Sequence, residues 1–312
     1  MDNNIKVFAV VVTYNGRPWI DKCLKSLEKS STPVNIIVID NGSQDGTQEI
    51  IKGHPQVEFI QAAENLGFGK ANNRGIAIAL GKKADYVFLL NQDAWIETNT
   101  ITALSEIAGR NPGYGVVSPI HLNGACTGLD LNFSRQLAPD TCPSFYSDLY
   151  VRNPRPLYEI TFVGAAAWLI SASCLGKVGL FEPMFFLYGE DNNFLQRVKY
   201  HGFKIGVTPL CAICHDRESR RGNLNEQGAK IWERTSSLIM LLNILDSYSR
   251  SILLFLRERL LLMLKYTYQR RFLALKCPIG EIIFLVTHFN AIRRVRNYHK
   301  SAYVPGAQNL SA

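Results

Sequence analysis

The 312-residue chain reads as an α/β protein with a mostly parallel sheet, flanking helices and a C-terminal helical extension. Three observations predict this. Apolar runs rich in β-branched residues alternate with amphipathic helical stretches through the first 120 residues. The runs are nearly continuous in apolar residues, as strands covered on both faces are. A strand–helix–strand rhythm also demands crossover connections, and these give parallel pairing.

The elements follow in order. Val7 to Thr13 is a buried strand stopped by Tyr14-Asn15-Gly16. Arg17 to Lys29, with Ile20, Cys23, Leu24 and Leu27 at helical spacing, is an amphipathic helix. Val34 to Asp40 is the second strand, and Ser43 is placed to cap a short helix ending near Lys52. Val57 to Gln61 is a strand, Lys70 to Leu80 a helix that Gly81 ends, and Tyr86 to Leu90 another strand. Thr98 to Arg110 is helical and Gly115 to Ile120 extended. From His121 to Glu159 the prolines at 139, 143, 154 and 156 point to loops and a hairpin. Phe162 to Ile170 is apolar and rich in small residues. Ala172 to Val178 and Glu190 to Tyr200 are helical, and Lys204 to Val207 and Leu210 to Cys214 are short strands. Asp216 to Gly228 reads as a polar, Arg-rich loop.

Beyond it the composition changes. Residues 1–227 carry 21 Lys+Arg against 22 Asp+Glu, a net of −1, whereas residues 228–312 carry 13 against 4, a net of +9. A domain of 1–227, halved near 120, followed by a basic helical extension over 228–312, is the organisation this predicts. The apolar runs Ser251 to Tyr266 and Ile279 to Val286 fall short of the roughly 20 residues of a membrane span, so no segment reads as transmembrane. Leu253, Leu254, Phe255 and Leu260–Leu264, flanked by Arg257, Arg259, Lys265, Arg270 and Arg271, suit a helix lying on an anionic membrane or a helical lid. Nucleic acid is disfavoured, because few aromatic residues interleave with the basic ones.

The N-terminus lacks the pattern of a secretory signal. The chain therefore reads as cytoplasmic, peripheral on the cytoplasmic membrane face, with its seven cysteines reduced. Cys211-Ala212-Ile213-Cys214-His215 has the spacing of haem attachment. Without an export signal or a second cysteine pair, it reads instead as two core cysteines on a strand.

The groups able to do chemistry stand where elements end. Asp40 follows the second strand and reads equally as a nucleotide-binding acid or a capping turn. No G-x-G-x-x-G or P-loop accompanies it. Asp93 follows a strand through Asn91-Gln92, a place suited to holding a divalent ion against a diphosphate or to capping a helix. Glu190 and Asp191 open a helix, whose N-terminal potential favours ionised carboxylates. A lone His215 reads most simply as a buried, satisfied histidine.

Seven segments in order give these positions a common meaning: VVVTYNG, VIDNGSQDGT, ENLGFGKANNRGI, FLLNQDAWI, FVGAAAWLI, MFFLYGEDNNFLQRVKYHGFK and the tripeptide CHD. Over about residues 5 to 216 the chain resembles the family 2 inverting glycosyltransferases, in their rhamnosyltransferase and galactofuranosyltransferase-like branch. The resemblance implies the GT-A fold, in which a Rossmann-like nucleotide-sugar half merges with an acceptor half. It implies transfer of a sugar such as rhamnose or another deoxyhexose from a dTDP- or UDP-linked donor to a glycan or lipid-linked glycan, in cell-surface polysaccharide synthesis. It places Thr13, Asn15, Asp40, Asn41, Ser43, Asn65, Gly67, Asn72, Asn91 and Gln92 around the nucleotide. It makes Asp93 and His215 ligands of Mg²⁺ or Mn²⁺, Asp191 the catalytic base with Glu190 as its acidic neighbour, and Gly164 and Trp168 part of the donor and acceptor cleft. Asn91 stands where the family's metal motif has its first acid, which leaves fewer formal charges on an ion. It is also the one feature favouring a catalytically silent sugar-nucleotide or glycan-binding partner. A nucleotidyltransferase would want a Gly-rich basic loop after the first strand, and Tyr14-Asn15-Gly16-Arg17 is a poor version of one.

Overall fold

The computed structural model describes residues 5–217 and 235–301. The loop expected over 216–228 falls largely outside them. Contacts divide the chain into two compact units, one of residues 1–175 with 202–222 and one of residues 176–201 with 223–312. The stretch 176–201, which sequence reading joined to the catalytic domain, is thus grouped with the C-terminal helices.

The first unit is a mixed sheet. Its strands are β1 (Val7–Thr13), β2 (Val34–Asp40), β3 (Val57–Gln61), β4 (Tyr86–Asn91), β5 (Ala94–Ile96), β6 (Tyr114–Asn123), β7 (Tyr158–Glu159), β8 (Ala167–Ser171) and β9 (Lys204–His215). The spatial order is β3-β2-β1-β4-β8-β6-β9-β5, with β7 on β9. β3, β2, β1 and β4 are parallel neighbours, as are β6 and β9, while β8 runs antiparallel between β4 and β6. Helices α1 (Ile20–Glu28), α2 (Thr47–Lys52), α3 (Phe68–Gly81) and α4 (Thr100–Arg110) are the expected partners of the first strands. α1 buries Ile20, Cys23, Leu24 and Leu27, the stripe its spacing predicts.

Several expectations are corrected. Ser43 does not cap α2, whose N-cap is Gly46. Its hydroxyl donates instead to the Asp40 carboxylate, within the turn that precedes the helix. The two short strands after residue 204 are one strand, because the ladder with β6 shifts between Pro119/Thr208 and Ile120/Ala212 and so passes over Pro209. The irregular segment after His121 contains helices α5 (Leu131–Gln136) and α6 (Phe145–Tyr150). Cys214 is not a reduced core cysteine. It is bonded to Cys126, with Cα atoms 5.4 Å apart, because the turn after β6 folds back beside the end of β9.

The second unit holds the end of α7 (Ala172–Val178), α8 (Glu190–Tyr200), a helical stretch over 235–241, α9 (Tyr248–Tyr268) and α10 (Lys276–Lys300). Phe185, from the segment before α8, shares a core with Leu238, Leu241, Leu242, Phe255, Leu285, Ile292 and Val295. Polar locks add to it. His299 Nε2 lies 2.9 Å from Glu182 Oε2, and His201 Nε2 lies 2.9 Å from the His299 carbonyl. Arg296 donates to the carbonyls of Leu241, Asn243 and Asp246. Burial, with the Arg197 charge adding to it, holds the His299 imidazole down at about 4, so it is neutral at pH 7 and donates to the Glu182 carboxylate. The stretch Phe272–Lys300 is long and apolar enough, by length and composition alone, to cross a membrane. This corrects the reading from Ile279 to Val286, because the helix runs well past both ends of that apolar core. Its inner side nevertheless carries Glu281, Arg296 and His299, all buried within the unit.

Close packing of α3 on β1 depends on Gly75, where a Cβ would stand 2.4 Å from Val10 Cγ1. Val10 is β-branched and fully buried, so it has little room to yield. Overpacking costs about 1–3 kcal/mol, against a helix-propensity gain near 1. Gly75→Ala is therefore expected to lower the urea midpoint. Gly81→Ala, with nothing within 4 Å of the new methyl, is expected to leave it unchanged or raise it. Equal effects in urea titrations would refute the packing account.

Candidate active site

The carboxyl ends of β1, β2 and β4 carry three loops knitted by side chains. Thr13 Oγ1 donates to Gln92 Oε1 at 2.5 Å, the Tyr14 amide donates to the same oxygen at 2.9 Å, and Gln92 Nε2 returns to the Tyr14 carbonyl at 3.2 Å. Gln92 thus ties the β4 loop to the β1 loop. Asn15, held at φ 48, receives its lock from β2: its amide donates to Ser43 Oγ and its Oδ1 accepts from the Gln44 amide, both at 2.9 Å.

Asp40 is fully buried at the end of β2. Its carboxylate accepts from the Ser43 hydroxyl and amide and from Gln48 Nε2 at 2.9 Å. Of the two readings left open by sequence, the turn-forming one describes these contacts. Asn41 bridges to the next loop, donating to Asn65 Oδ1 at 2.8 Å and accepting from the Leu66 amide at 2.8 Å. Asn65 Oδ1 also takes the Gly67 amide at 2.9 Å. Asn72 is buried and bonds the Phe68 carbonyl within α3. A depression of about 460 Å³ opens beside this turn, lined by Gly42, Ser43, Gln44, Gln61, Ala62 and Ala63.

A second cluster forms where β5 meets β9. The antiparallel register sets Ala94 opposite His215, and the Asp216 amide donates to the Asp93 carbonyl at 2.9 Å. Asp93 Oδ1 and His215 Nε2 are therefore 3.4 Å apart, both buried, although far apart in sequence. His215 Nδ1 lies 3.8 Å from Asp130 Oδ2. His121 meets His215 edge-on at 6.4 Å between ring centroids and stacks on Phe133 at 4.2 Å. Burial, reinforced by His215 and Arg217, holds the His121 imidazole well below its usual range. Trp19 Nε1 donates to Asp216 Oδ2 at 2.9 Å. His121, Asp130 and Trp19 were not singled out from sequence. The β6–β9 pairing sets His121 beside the cluster, Asp130 caps the Phe133 amide, and Trp19 joins through Asp216. No group of three or more His, Cys, Asp or Glu side chains set for a metal occurs among the described residues.

Asn91 ends β4, its amide donating to the Ala166 carbonyl at 2.9 Å. Gly164 donates its amide to Gln136 Oε1 at 3.0 Å. Trp168 is fully buried within β8, at register with Leu89.

Glu190 and Asp191 belong to the second unit, at the start of α8. Tyr188 and Gly189 before them both take positive φ, 66 and 85. A Cβ on Gly189 would stand 2.5 Å from Thr235 Cγ2, so both conformation and space call for glycine. Farther along α8, Arg197 donates to the carbonyls of Val178 and Leu180 at 2.9 and 2.7 Å and holds the approach to the turn. Glu190 is 5% exposed, and its Oε2 has no hydrogen-bond partner among the described residues. Burial, with the Asp191 charge second, pushes its carboxyl up to about 8. This corrects the expectation that both acids stay ionised. Helix N-terminal potential is worth about 0.3–1 kcal/mol at an exposed site, and burying a charged carboxylate costs more than that.

Known proteins put this architecture in context. An N-acetylglucosaminyl-diphospho-decaprenol L-rhamnosyltransferase of Mycobacterium tuberculosis is 28% identical over 241 residues, covering 68% of this chain and 76% of that protein. The galactofuranosyltransferase GlfT1 of the same organism is 28% identical over 217 residues, covering 67% and 69%. The mannosyltransferase PcManGT of Pyrobaculum calidifontis, solved with GDP-Man and Mn²⁺, superposes with a TM-score of 0.51 at 16% identity, over 90% of this chain and 75% of that one. That likeness speaks to the fold alone. The family profile stops short of Glu190 and Asp191 but spans the strand-end loops of β1, β2 and β4: residues 8–175 match Glycosyl transferase family 2, more than half of the chain, which is therefore a member of that family with the GT-A fold.

Proposed function

We propose that the protein is a metal-dependent inverting glycosyltransferase. It moves a sugar, rhamnose or another deoxyhexose, from a dTDP- or UDP-linked donor to a glycan or lipid-linked glycan in cell-surface polysaccharide synthesis. The observation that carries the reading is the meeting of Asp93 and His215 at 3.4 Å, at the loop end of a sheet whose neighbouring loops are locked to one another. In an open α/β sheet that end is where ligands bind. The Mycobacterium relatives support a deoxyhexose or furanose donor, one being an L-rhamnosyltransferase and the other a galactofuranosyltransferase, and the diphospho-decaprenol acceptor of the first supports a lipid-linked acceptor.

The donor's nucleoside is assigned to the loops of Thr13, Asn15, Asp40–Ser43, Asn65 and Gly67, beside the depression lined by Gly42 and Gln61. Asn91 and Gln92 carry the chain from there to Asp93. One carboxylate and one imidazole would hold Mn²⁺ more readily than Mg²⁺, which prefers oxygen donors, and either ion would complete its shell with water and phosphate oxygens. Asp130 beside the far nitrogen of His215 would orient the ring. When bound, such an ion neutralises charge on the diphosphate.

Asp191 accepts the proton of the acceptor hydroxyl as that oxygen attacks the anomeric carbon. The bond from that carbon to the donor phosphate breaks, the nucleoside diphosphate leaves, and one displacement inverts the configuration. Glu190 keeps its proton and so adds no second negative charge beside the base. Work at a lipid-linked acceptor would place the enzyme peripherally on the cytoplasmic membrane face, and the apolar outer surface of the basic helices supports this.

Three measurements test the reading. Asp191→Asn is expected to lower turnover by roughly a hundredfold or more while donor affinity holds. Near-normal turnover would remove Asp191 from the mechanism, and donor binding without any turnover in the wild type would favour the silent-partner reading. EDTA is expected to abolish nucleotide release and Mn²⁺ or Mg²⁺ to restore it, with Asp93→Asn and His215→Ala raising the metal concentration needed. Full activity in EDTA would refute the metal role. For Glu190, the folded chain holds a proton up to about pH 8, whereas the unfolded chain releases it near 4.5. Between those values the folded state binds more protons, so this group's contribution to stability falls as pH rises. Glu190→Gln is expected to remove that slope from urea midpoints measured between pH 5 and 8. A difference from wild type that does not vary with pH would overturn the assignment.

A further inference from the structure

α9 and α10 form an antiparallel hairpin with an inverted distribution of polarity. Three contacts set the register. The Tyr248 hydroxyl donates to the Phe289 carbonyl at 3.1 Å, Arg296 donates to Ser251 Oγ at 3.3 Å, and Arg259 pairs with Glu281. Inside the hairpin, Arg259 and Glu281 are buried and Ser237 donates to Glu281 at 2.9 Å. Beyond that pair the polarity turns outward-apolar. Leu260, Leu261, Leu264, Tyr268, Phe272 and Leu273 are all more than half exposed, Tyr268 at 90% and Leu273 at 81%.

The charge of this distal part is one-sided. Between Arg259 and Glu281 there is no acidic residue, and the four cations Lys265, Arg270, Arg271 and Lys276 are all exposed. From residue 259 to the end of α9 the helix advances about 13 Å at 1.5 Å per residue. That distance exceeds the roughly 5–10 Å to which an interfacial helix sinks its apolar face. Exposed leucines alone do not name an occupant. Leucines and aromatics capped by cations and free of acids match an anionic lipid surface, whose acyl region takes the former and whose headgroups take the latter. A second copy of this chain would meet the same four cations with its own.

We propose that the distal hairpin, residues 260–280, is the membrane-docking surface. Phe272 and Leu273 enter the acyl boundary, and Lys265, Arg270, Arg271 and Lys276 contact anionic headgroups. This rests on the reading of the chain as a transferase that serves a membrane-held acceptor. It goes beyond that reading by assigning the contact to one turn and its flanking helical ends.

The test uses the full-length chain. Removing 228–312 would strip Phe185 and the segment before α8 of their core, so truncation cannot separate docking from folding. Vesicles of phosphatidylcholine with or without phosphatidylglycerol are sedimented with wild type, with Phe272→Ser/Leu273→Ser and with Arg270→Glu/Arg271→Glu. Thermal melting and donor hydrolysis are followed in parallel. Wild type is expected to bind the anionic vesicles, more weakly in high salt. Each double variant is expected to lose roughly tenfold or more in binding with unchanged melting. The serine pair should remove the part that survives high salt, and the glutamate pair the part that does not. Loss of hydrolysis in wild type would count against the transferase reading and leave the docking result to stand by itself. Docking at this turn is overturned by wild type ignoring anionic vesicles at low salt or by both variants binding as wild type does. Carbonate-resistant insertion, as of a spanning helix, or self-association that the serine pair abolishes without vesicle binding, overturns it as well.

Discussion

The backbone pairing of β5 with β9 is the constraint on which the first unit's candidate site depends. β5 is three residues long, and its register sets Ala94 opposite His215. That step fixes Asp93 and His215 at 3.4 Å and brings Asp216 within reach of Trp19. Parallel pairing of β9 with β6 then sets His121 and Asp130 behind the histidine. Because side chains alternate across a strand, a one-residue slip would turn His215 to the opposite face. Three β5–β9 pairs and the β6–β9 ladder together hold the geometry of groups drawn from four parts of the sequence.

The loops of β1, β2 and β4 follow the same logic with side chains in place of a ladder. Gln92 spends both ends of its amide on the β1 loop, and Asn41 spends both ends of its own on the loop before α3. Rigid polar loops of this kind suit ligand binding, since little ordering remains to be done when a ligand arrives. Asp40 is the extreme case: its carboxylate is already satisfied within its own turn. Its worth to a bound nucleotide would lie as much in holding Asn41, Gly42 and Ser43 in place as in any contact of its own.

Much of this was legible in the sequence, and the failures have physical causes. Strands β1 and β2 were readable to the residue because runs such as VFAVVVT are largely buried on both faces and bounded by turn residues, and the half-buried β3 because its apolar residues fall between turn signals. β5 was not, because three residues carry no periodicity. β9 was split at Pro209, since a bulge that passes over a proline leaves no signal in composition. Asp93 and His215 were legible only through a family pattern, because residues so far apart are joined by topology alone. Burial of Trp168 within β8 was not legible, because position in a motif does not report the packing around a strand residue. The neutrality of Glu190 was missed because it is set by burial, which comes from packing around α8 rather than from the two adjacent acids.

The distal part of the helical hairpin turns the usual arrangement inside out, and the parts of the unit explain one another. A hairpin needs some inner attraction, and here a buried Arg259–Glu281 pair supplies part of it. Such a pair is a weak source of stability and is strongly destabilising when broken, so it acts as a register lock more than as glue. The glue is the apolar core shared with Phe185 near the base of the hairpin, together with the Arg296 and His299 contacts. Leucines that a water-soluble hairpin would turn inward are thus left outside, where water penalises them by roughly 25 cal/mol per Å² of apolar surface. Against the anionic lipid surface proposed above, the leucines and the four cations each find a counterpart. The same core joins the base of the hairpin to Phe185, in the segment that ends in Gly189, Glu190 and Asp191.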